Sequence, residues 1–365
     1  MKVKIRAKPR NPHEAVLDVF LKAQDRLVFQ AADLSLGTIS NMVTKNAINI
    51  SPAYQRRERW GIQKQSALIE SFLLNVPVPP VYLSEDEFGK YSVVDGKQRI
   101  TAINAFMTGQ LALSGLESFL AIEGMRFLSL PEELRNALEV RPYLRVITLL
   151  KQSDPTLKFE VFTRLNRGGE SMEPQELRNV AFRGPLNDRI YELAKTPFLR
   201  SQLKIKDEKS SAFQLMTDAE MVLRFLTLQK RWKKFSGDYR SEMDSFMRVN
   251  RNASVADLQV MESSFKKAIE GCEVIWGKFA YKRPVGEQWR DQLLTGMYDA
   301  QMLAVDELSE GQFAEAKRHV RQIIAKTKDL FDDNDFETAV RQGTNTPRRL
   351  VYRVEKLLEV LIGNQ

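Results

Sequence analysis

Residues 91–106 read YSVVDGKQRITAINAF. An apolar run, Tyr91 to Val94, stops at Asp95-Gly96, and three polar residues follow: Lys97, Gln98 and Arg99. Ile100, Ala102, Ile103, Ala105 and Phe106 then resume with near-helical spacing. The pattern predicts a strand, a glycine turn and a helix. A helix starting there points its first N–H groups and its positive dipole end into the turn. With Lys97 and Arg99 added, the turn becomes an anion pocket suited to phosphate. Asp95 places a carboxylate beside it, for a metal ion or for general-base work.

Two further segments carry similar chemistry. YQRRERW at 54–60 puts Tyr54, Gln55, Arg56 and Arg59 in a proline-led loop just before a helix. Arginine forks bind phosphate bidentately, and Gln55 can orient a water or a ribose hydroxyl. The other segment is FTRLNRGGESMEPQELRNVAF at 162–182. Asn166 and Gly168-Gly169 stop one helix, and Pro174 opens the next. Arg164, Asn166, Arg167 and Arg178 are expected around that glycine loop, which either covers a phosphate or simply connects two helices. Glu173 with Glu176 could serve as metal ligands, but carboxylates in a first helical turn usually just answer the dipole.

The 365 residues allow two domains, and 43% hydrophobic with 28% charged content is that of a soluble globular chain. No apolar stretch is long enough to span a membrane, and the basic start lacks the apolar core of a secretory signal. A single cysteine, Cys272, excludes an intrachain disulfide and a multi-cysteine metal site. The two histidines, His13 and His319, lie far from the motifs, which argues against a histidine-ligated zinc or a histidine triad. A reducing, cytoplasmic setting is expected. The net charge of +8 leans toward an anionic partner such as nucleic acid. QRRERW, KRWKK at 230–234 and TPRRLVYR at 346–353 are local basic clusters, KRWKK with an aromatic residue inside. Cys272 sits on an apolar helical stripe and reads as a packed core thiol.

Along the chain, residues 1–30 read as a basic arm with a short helix. A helix start capped by Ser35 or Thr38 and a short strand, AINI, follow. GIQKQSALIESFLLN at 61–75 is an amphipathic helix, ended by the prolines of 77–80. Val81-Tyr82-Leu83 is a strand, and residues 85–90 are an acidic hairpin turn. A hairpin-like piece around Gly124, a helix in PEELRNALEV and a β-branched strand in LRVITLL come next. After Lys151 strand candidates vanish. The expected fold class is α+β: a mixed-sheet domain over 31–190, behind the 1–30 arm, and an all-helical domain over 191–365.

Three ordered motifs resemble a known family. The proline-Tyr-Gln-Arg loop, the DGKQR turn and the F-x-x-x-N-x-G-G segment followed by E-L-R-N look like the domain of unknown function 262. That family includes the N-terminal part of GmrSD-type modification-dependent restriction enzymes, in the ParB/sulfiredoxin-like superfamily, and carries a DGQQR motif. The resemblance covers roughly residues 30–190. Its polar positions fall on Gln55, Arg56, Asp95, Gly96, Gln98, Arg99, Asn166, Gly168 and Gly169. Lys97 stands where the family has glutamine, and no cysteine follows the turn, which excludes sulfiredoxin chemistry. The resemblance implies a ParB-like sheet and phosphate-ester or phosphoanhydride chemistry in restriction or phage defence. Family members often cut DNA with a separate histidine-rich nuclease domain. Two histidines cannot supply one, so cleavage falls to the DGKQR site or to a partner nuclease or other defence-operon protein.

The resulting expectation is a Mg²⁺-dependent NTPase or DNA nuclease or nickase with DNA and nucleotide as partners. Asp95 holds the metal or activates water, with Gln98 and Arg99 as the other catalytic residues. Gln55, Arg56, Arg59, Gly96, Lys97, Arg164, Asn166, Gly168 and Gly169 bind nucleotide or phosphate. The alternative is a non-catalytic nucleotide-gated DNA-binding or adaptor protein.

Overall fold

The structure, a computed structural model, describes Phe20 and residues 27–50, 60–165 and 174–363. It divides into two compact units, Met1–Met172 and Glu173–Gln365.

The first unit contains β1 (Phe29–Ser35), α1 (Leu36–Thr44), β2 (Ile48–Asn49), α2 (Ile62–Leu73), β3 (Val81–Glu87), β4 (Lys90–Asp95), α3 (Lys97–Met107), α4 (Glu132–Val140), β5 (Tyr143–Leu149) and α5 (Pro155–Leu165). Its sheet runs β1-β5-β3-β4-β2 and is mixed. β3 and β4 form an antiparallel hairpin, β5 lies parallel to β3 and antiparallel to β1, and β2 lies parallel to β4. On β5, Leu144 and Val146 face inward while Arg145 faces out and forks onto Asp33, its direct cross-strand partner, at 2.9 and 3.0 Å. Val81, Leu83, Val93, Leu144 and Val146 form one face of the core. Ile39 of α1, Ile69 and Phe72 of α2, and Ile100, Ile103 and Phe106 of α3 pack onto it. Phe106 is fully buried edge-on to Phe127, 5.8 Å between centroids; burial of such a ring contributes about 1.5–3 kcal/mol.

Local signals account for the boundaries. Ser35 accepts from the Thr38 amide and caps α1. α2 ends ahead of Pro77, Pro79 and Pro80. Two details depart from the sequence reading. β1 was not expected: FQAADLS has no β-branched residue, and its seven residues become a strand by pairing with β5 from Phe29↔Leu149 to Ser35↔Tyr143. The hairpin expected around Gly124 is instead two 3₁₀ turns, Leu120–Ile122 and Phe127–Ser129. Glu70 of α2 explains this path. Its buried carboxylate accepts the amides of Glu117, Ser118 and Phe119 at 2.6–3.1 Å, so these N–H groups point inward instead of across to a strand.

The second unit is helical: α6 (Pro174–Ala181), α7 (Pro185–Ala194), α8 (Pro197–Gln202), α9 (Ser211–Gln214), α10 (Thr217–Leu228), α11 (Tyr239–Asn250), α12 (Val255–Trp276), α13 (Thr295–Glu307), α14 (Glu310–Arg318), α15 (Val320–Asp329), α16 (Asn334–Arg341) and α17 (Pro347–Ile362). A two-residue hairpin, Pro284–Val285 with Gln288–Trp289, is its sole sheet among the described residues. α13 is buried on all sides from Gly296 to Val305 and forms the centre. Cys272 is fully buried, and loss of water pushes its thiol pKa well up. Beside the core, Asp299 of α13 takes both Arg224 (2.6 and 2.8 Å) and Arg353 (2.7 Å), with the Tyr239 hydroxyl donating at 2.9 Å. Burial pushes the Asp299 carboxyl up, but the two guanidiniums outweigh it and hold it below the usual carboxylate value.

Candidate functional site

β4 ends at Asp95, and Gly96 turns the chain into α3. Gly96 is the N-cap at φ +91°, ψ +16°, a left-handed conformation natural to glycine. Space imposes the same choice. A Cβ on Gly96 would fall 2.3 Å from Cγ1 and 2.9 Å from Cβ of Val81 at the head of β3. The turn is thus seated against the adjacent strand. Lys97, Gln98 and Arg99 form the first turn of α3, where backbone amides lack intrahelical acceptors. The capping glycine has no side chain to fold back on them.

Arg99 shapes the turn. Its Nη2 donates to Asp95 Oδ2 at 2.8 Å, and its Nη1 donates to the carbonyls of Pro79 at 2.5 Å and Pro80 at 3.0 Å. Of the five N–H donors a guanidinium carries, three are held by the protein. The Arg99 side chain is 14% exposed and that of Asp95 45%. The arginine is therefore the inner member and the carboxylate faces outward, with Oδ2 engaged. Gln98 Oε1 accepts the Trp60 amide at 3.1 Å, and Lys64 Nζ lies 4.6 Å above the Trp60 ring.

β2 runs parallel to β4, with Asn49 opposite Ser92, so the chain leaves β2 toward the Asp95 end of the sheet. It returns at Trp60 on Gln98. Both flanks of residues 51–59 are therefore fixed near the turn. Tyr54, Gln55, Arg56 and Arg59 themselves lie outside the described residues, as do Asn166, Arg167, Gly168, Gly169 and Glu173.

Asp95, Gly96, Lys97, Gln98 and Arg99 are thus brought together on one turn. Arg164 is not joined to them: it is exposed on the last turn of α5 and pairs with Glu160 at 2.5 Å. Arg178, expected near the glycine loop, is instead 1% exposed and donates to Asp244 at 2.7 Å and to Gln175 at 3.3 Å. Gln175, Glu176 and Asn179 of the same helix are buried as well, so ELRN belongs to the core of the second unit. A buried arginine demands such partners, and the apolar spacing of Leu177, Val180 and Ala181 was the available clue. Sequence reasoning also missed the Pro79 and Pro80 carbonyls, the Val81 wedge and Trp60. The PVPP run before β3 and the tryptophan closing QRRERW were their signals.

No group of three or more His, Cys, Asp or Glu side chains suited to a metal ion occurs among the described residues. No helix among them is long and apolar enough to cross a membrane.

Residues 39–183 match the family model described as the N-terminal domain of GmrSD restriction endonuclease. The match contains the whole strand–glycine–helix turn, both flanking motifs, and β2 to β5. No curated protein matches the chain, and no solved structure matches it.

Proposed function

We propose that this protein is a phosphohydrolase acting on nucleotides or DNA in restriction or phage defence, with the Asp95–Arg99 turn as its phosphate site. One observation carries the reading. Inside the segment similar to a restriction-endonuclease domain, a left-handed glycine opens α3 beside an outward-facing carboxylate. A helix start with no capping side chain favours an oxyanion. The name DGQQR and a ParB-like sheet belong to this same proposal.

In this reading Asp95 is the general base, using its outward oxygen while Arg99 holds the other. Arg99 fixes the carboxylate and has two N–H donors left for developing phosphoryl charge. Lys97 and Gln98 serve phosphate from the first turn of α3. Gln55, Arg56 and Arg59 come from the segment whose flanks are fixed beside the turn, and Asn166, Gly168 and Gly169 from the later loop; Arg164, paired with Glu160 on α5, is left out.

A single half-exposed carboxylate does not build a resident cage, but it fits an ion that arrives with its phosphates. Mg²⁺ is commonly held this way, by one or two carboxylates plus phosphate oxygens and water. With the ion bound, the outward oxygen of Asp95 would hold it in place of serving as the base, and the ion would neutralise phosphate charge.

The test is turnover of each NTP and of supercoiled plasmid by the full chain with Mg²⁺, beside Asp95→Ala. Equal turnover by both proteins removes Asp95 from the chemistry. A second reading, a non-catalytic nucleotide switch or adaptor that also contacts DNA, is favoured by the engagement of Arg99 with three protein acceptors. Tight binding of a non-hydrolysable nucleotide in calorimetry, with no turnover, would select it.

A further inference from the structure

The helical unit carries a second feature that the turn does not explain. A cavity of about 390 Å³ opens between the end of α10, α11 and α12. That volume is near the lower end for small-ligand sites, roughly 300–1,000 Å³. Buried Leu226 and half-buried Phe246 and Met261 line it, and Val249 and Val260 stand exposed on its flanks. Ser245 is also in the lining, and its hydroxyl makes no hydrogen bond among the described residues. Asn250 gives one side-chain amide hydrogen to Phe246 O at 2.9 Å and keeps its side-chain Oδ1 available.

The KRWKK segment meets this cavity. Lys230 and Arg231 line it, and Lys233 and Lys234 follow on the 3₁₀ turn Trp232–Lys234. Trp232 is buried and donates to Glu307 at 2.9 Å, which anchors the turn and leaves all four cations exposed. Among the described residues, only Arg231 of the four has a carboxylate within 4 Å, Glu242 at 3.8 Å. A merely solvated basic face usually alternates with acids. Here one acid, Glu242, stands against four cations, and the run borders a cavity with an aromatic ring.

We infer that this cavity binds single-stranded nucleic acid, taking one unstacked base against Phe246, with the flanking phosphates on Lys230, Arg231, Lys233 and Lys234. Aromatic stacking with a cationic track is the general chemistry of single-strand sites. Ser245 and Asn250 Oδ1 address the base edge. Glu242 and Asp257 also line the cavity. Asp257, on the α12 side, repels phosphate and keeps the backbone toward residues 230–234, while Glu242 lies beside Arg231 and can accept from a base amino group. The site is separate from the Asp95 turn and does not rest on it.

The experiment is fluorescence anisotropy of the full chain with short labelled oligodeoxynucleotides, oligoribonucleotides and duplexes across a salt series. The single-strand arms tell DNA from RNA, and either supports the site. Single strands should bind more tightly than duplex. Lys230→Glu/Lys234→Glu, both exposed, should weaken single-strand binding at least tenfold and reduce the salt slope by about 1.4. Ser245→Trp, which fills the cavity, should weaken binding about tenfold with the salt slope unchanged. Asp95→Ala should leave all of this unaltered. Wild-type affinity in the lysine variant or in a folded Ser245→Trp overturns the inference. So does a change of sedimenting mass in Val249→Asp/Val260→Asp with oligonucleotide affinity intact, which would make the cleft a protein-docking groove.

Discussion

Arg99 lies between Asp95, 2.8 Å from its Nη2, and the paired carbonyls of Pro79 and Pro80 on its Nη1. The ion pair therefore orients a carboxylate more than it stabilises a fold. Partly exposed pairs of this kind contribute about 0–1 kcal/mol. Asp95→Asn should leave the melting temperature within a few degrees of wild type while phosphate-ester turnover falls by about 10² or more. Thermal unfolding beside steady-state hydrolysis reads both. A large drop in melting temperature with turnover preserved would reverse the assignment.

Gly96→Ala should destabilise the first unit by about 1–3 kcal/mol, because a left-handed backbone and a clash with Val81 act together. Val81→Ala removes the closer approach, at Cγ1, but keeps the Cβ at 2.9 Å and leaves the backbone strain. The double variant should therefore lose less than the sum of the single losses. Urea unfolding of the three proteins measures the coupling; strict additivity would mean that the two residues do not share the space.

Glu70 gives the first unit an acid-sensitive joint. The Ser118 amide, and then those of Glu117 and Phe119, hold its carboxyl below the ordinary value of 4.5 despite the opposing effect of burial. A depressed folded-state pKa contributes stability that is complete above about pH 4.5 and is lost as pH falls through the lower, folded value. Glu70→Gln should lower the melting temperature by several degrees at neutral pH and flatten its decline in acid. An unchanged acid slope would count against the three-amide cradle.

Arg178→Ala should cost about 3 kcal/mol, because it empties a fully buried site and leaves the half-buried Asp244 without its partner. Arg178→Met with Asp244→Leu should recover much of that loss. Loss of hydrolysis by Arg178→Ala at an unchanged melting temperature would return this residue to the site.

Asp299→Asn should be comparably damaging, about 3–5 kcal/mol, since it leaves Arg224 and Arg353 facing each other inside the second unit. Calorimetric unfolding of the full chain should show the loss. A shift under one degree would imply that water enters and solvates the guanidiniums.

The turn was legible because its grammar is local: an apolar run, a glycine, then helical spacing, all within sixteen residues. β4 and β5 announced themselves through clustered β-branched residues, and β3 through the apolar Val81-Tyr82-Leu83 after the prolines, for the same reason. β1 did not, because FQAADLS is a strand only by virtue of a partner more than a hundred residues away. The 3₁₀ turns beside Gly124 follow from Glu70, about fifty residues earlier. ELRN was read as part of a phosphate loop because arginine and asparagine look alike on a surface and in a satisfied interior. The difference appears only with Asp244, Gln175 and Tyr191 in place.

The diproline before β3 acts on Asp95 without any side-chain contact. Rings at 79 and 80 fix φ at both residues, and the two carbonyls they hold out are a rigid anvil for the guanidinium. The aim of the carboxylate is thus inherited from main-chain stiffness sixteen residues upstream. Residues that never meet a phosphate could retune this turn simply by loosening that hinge.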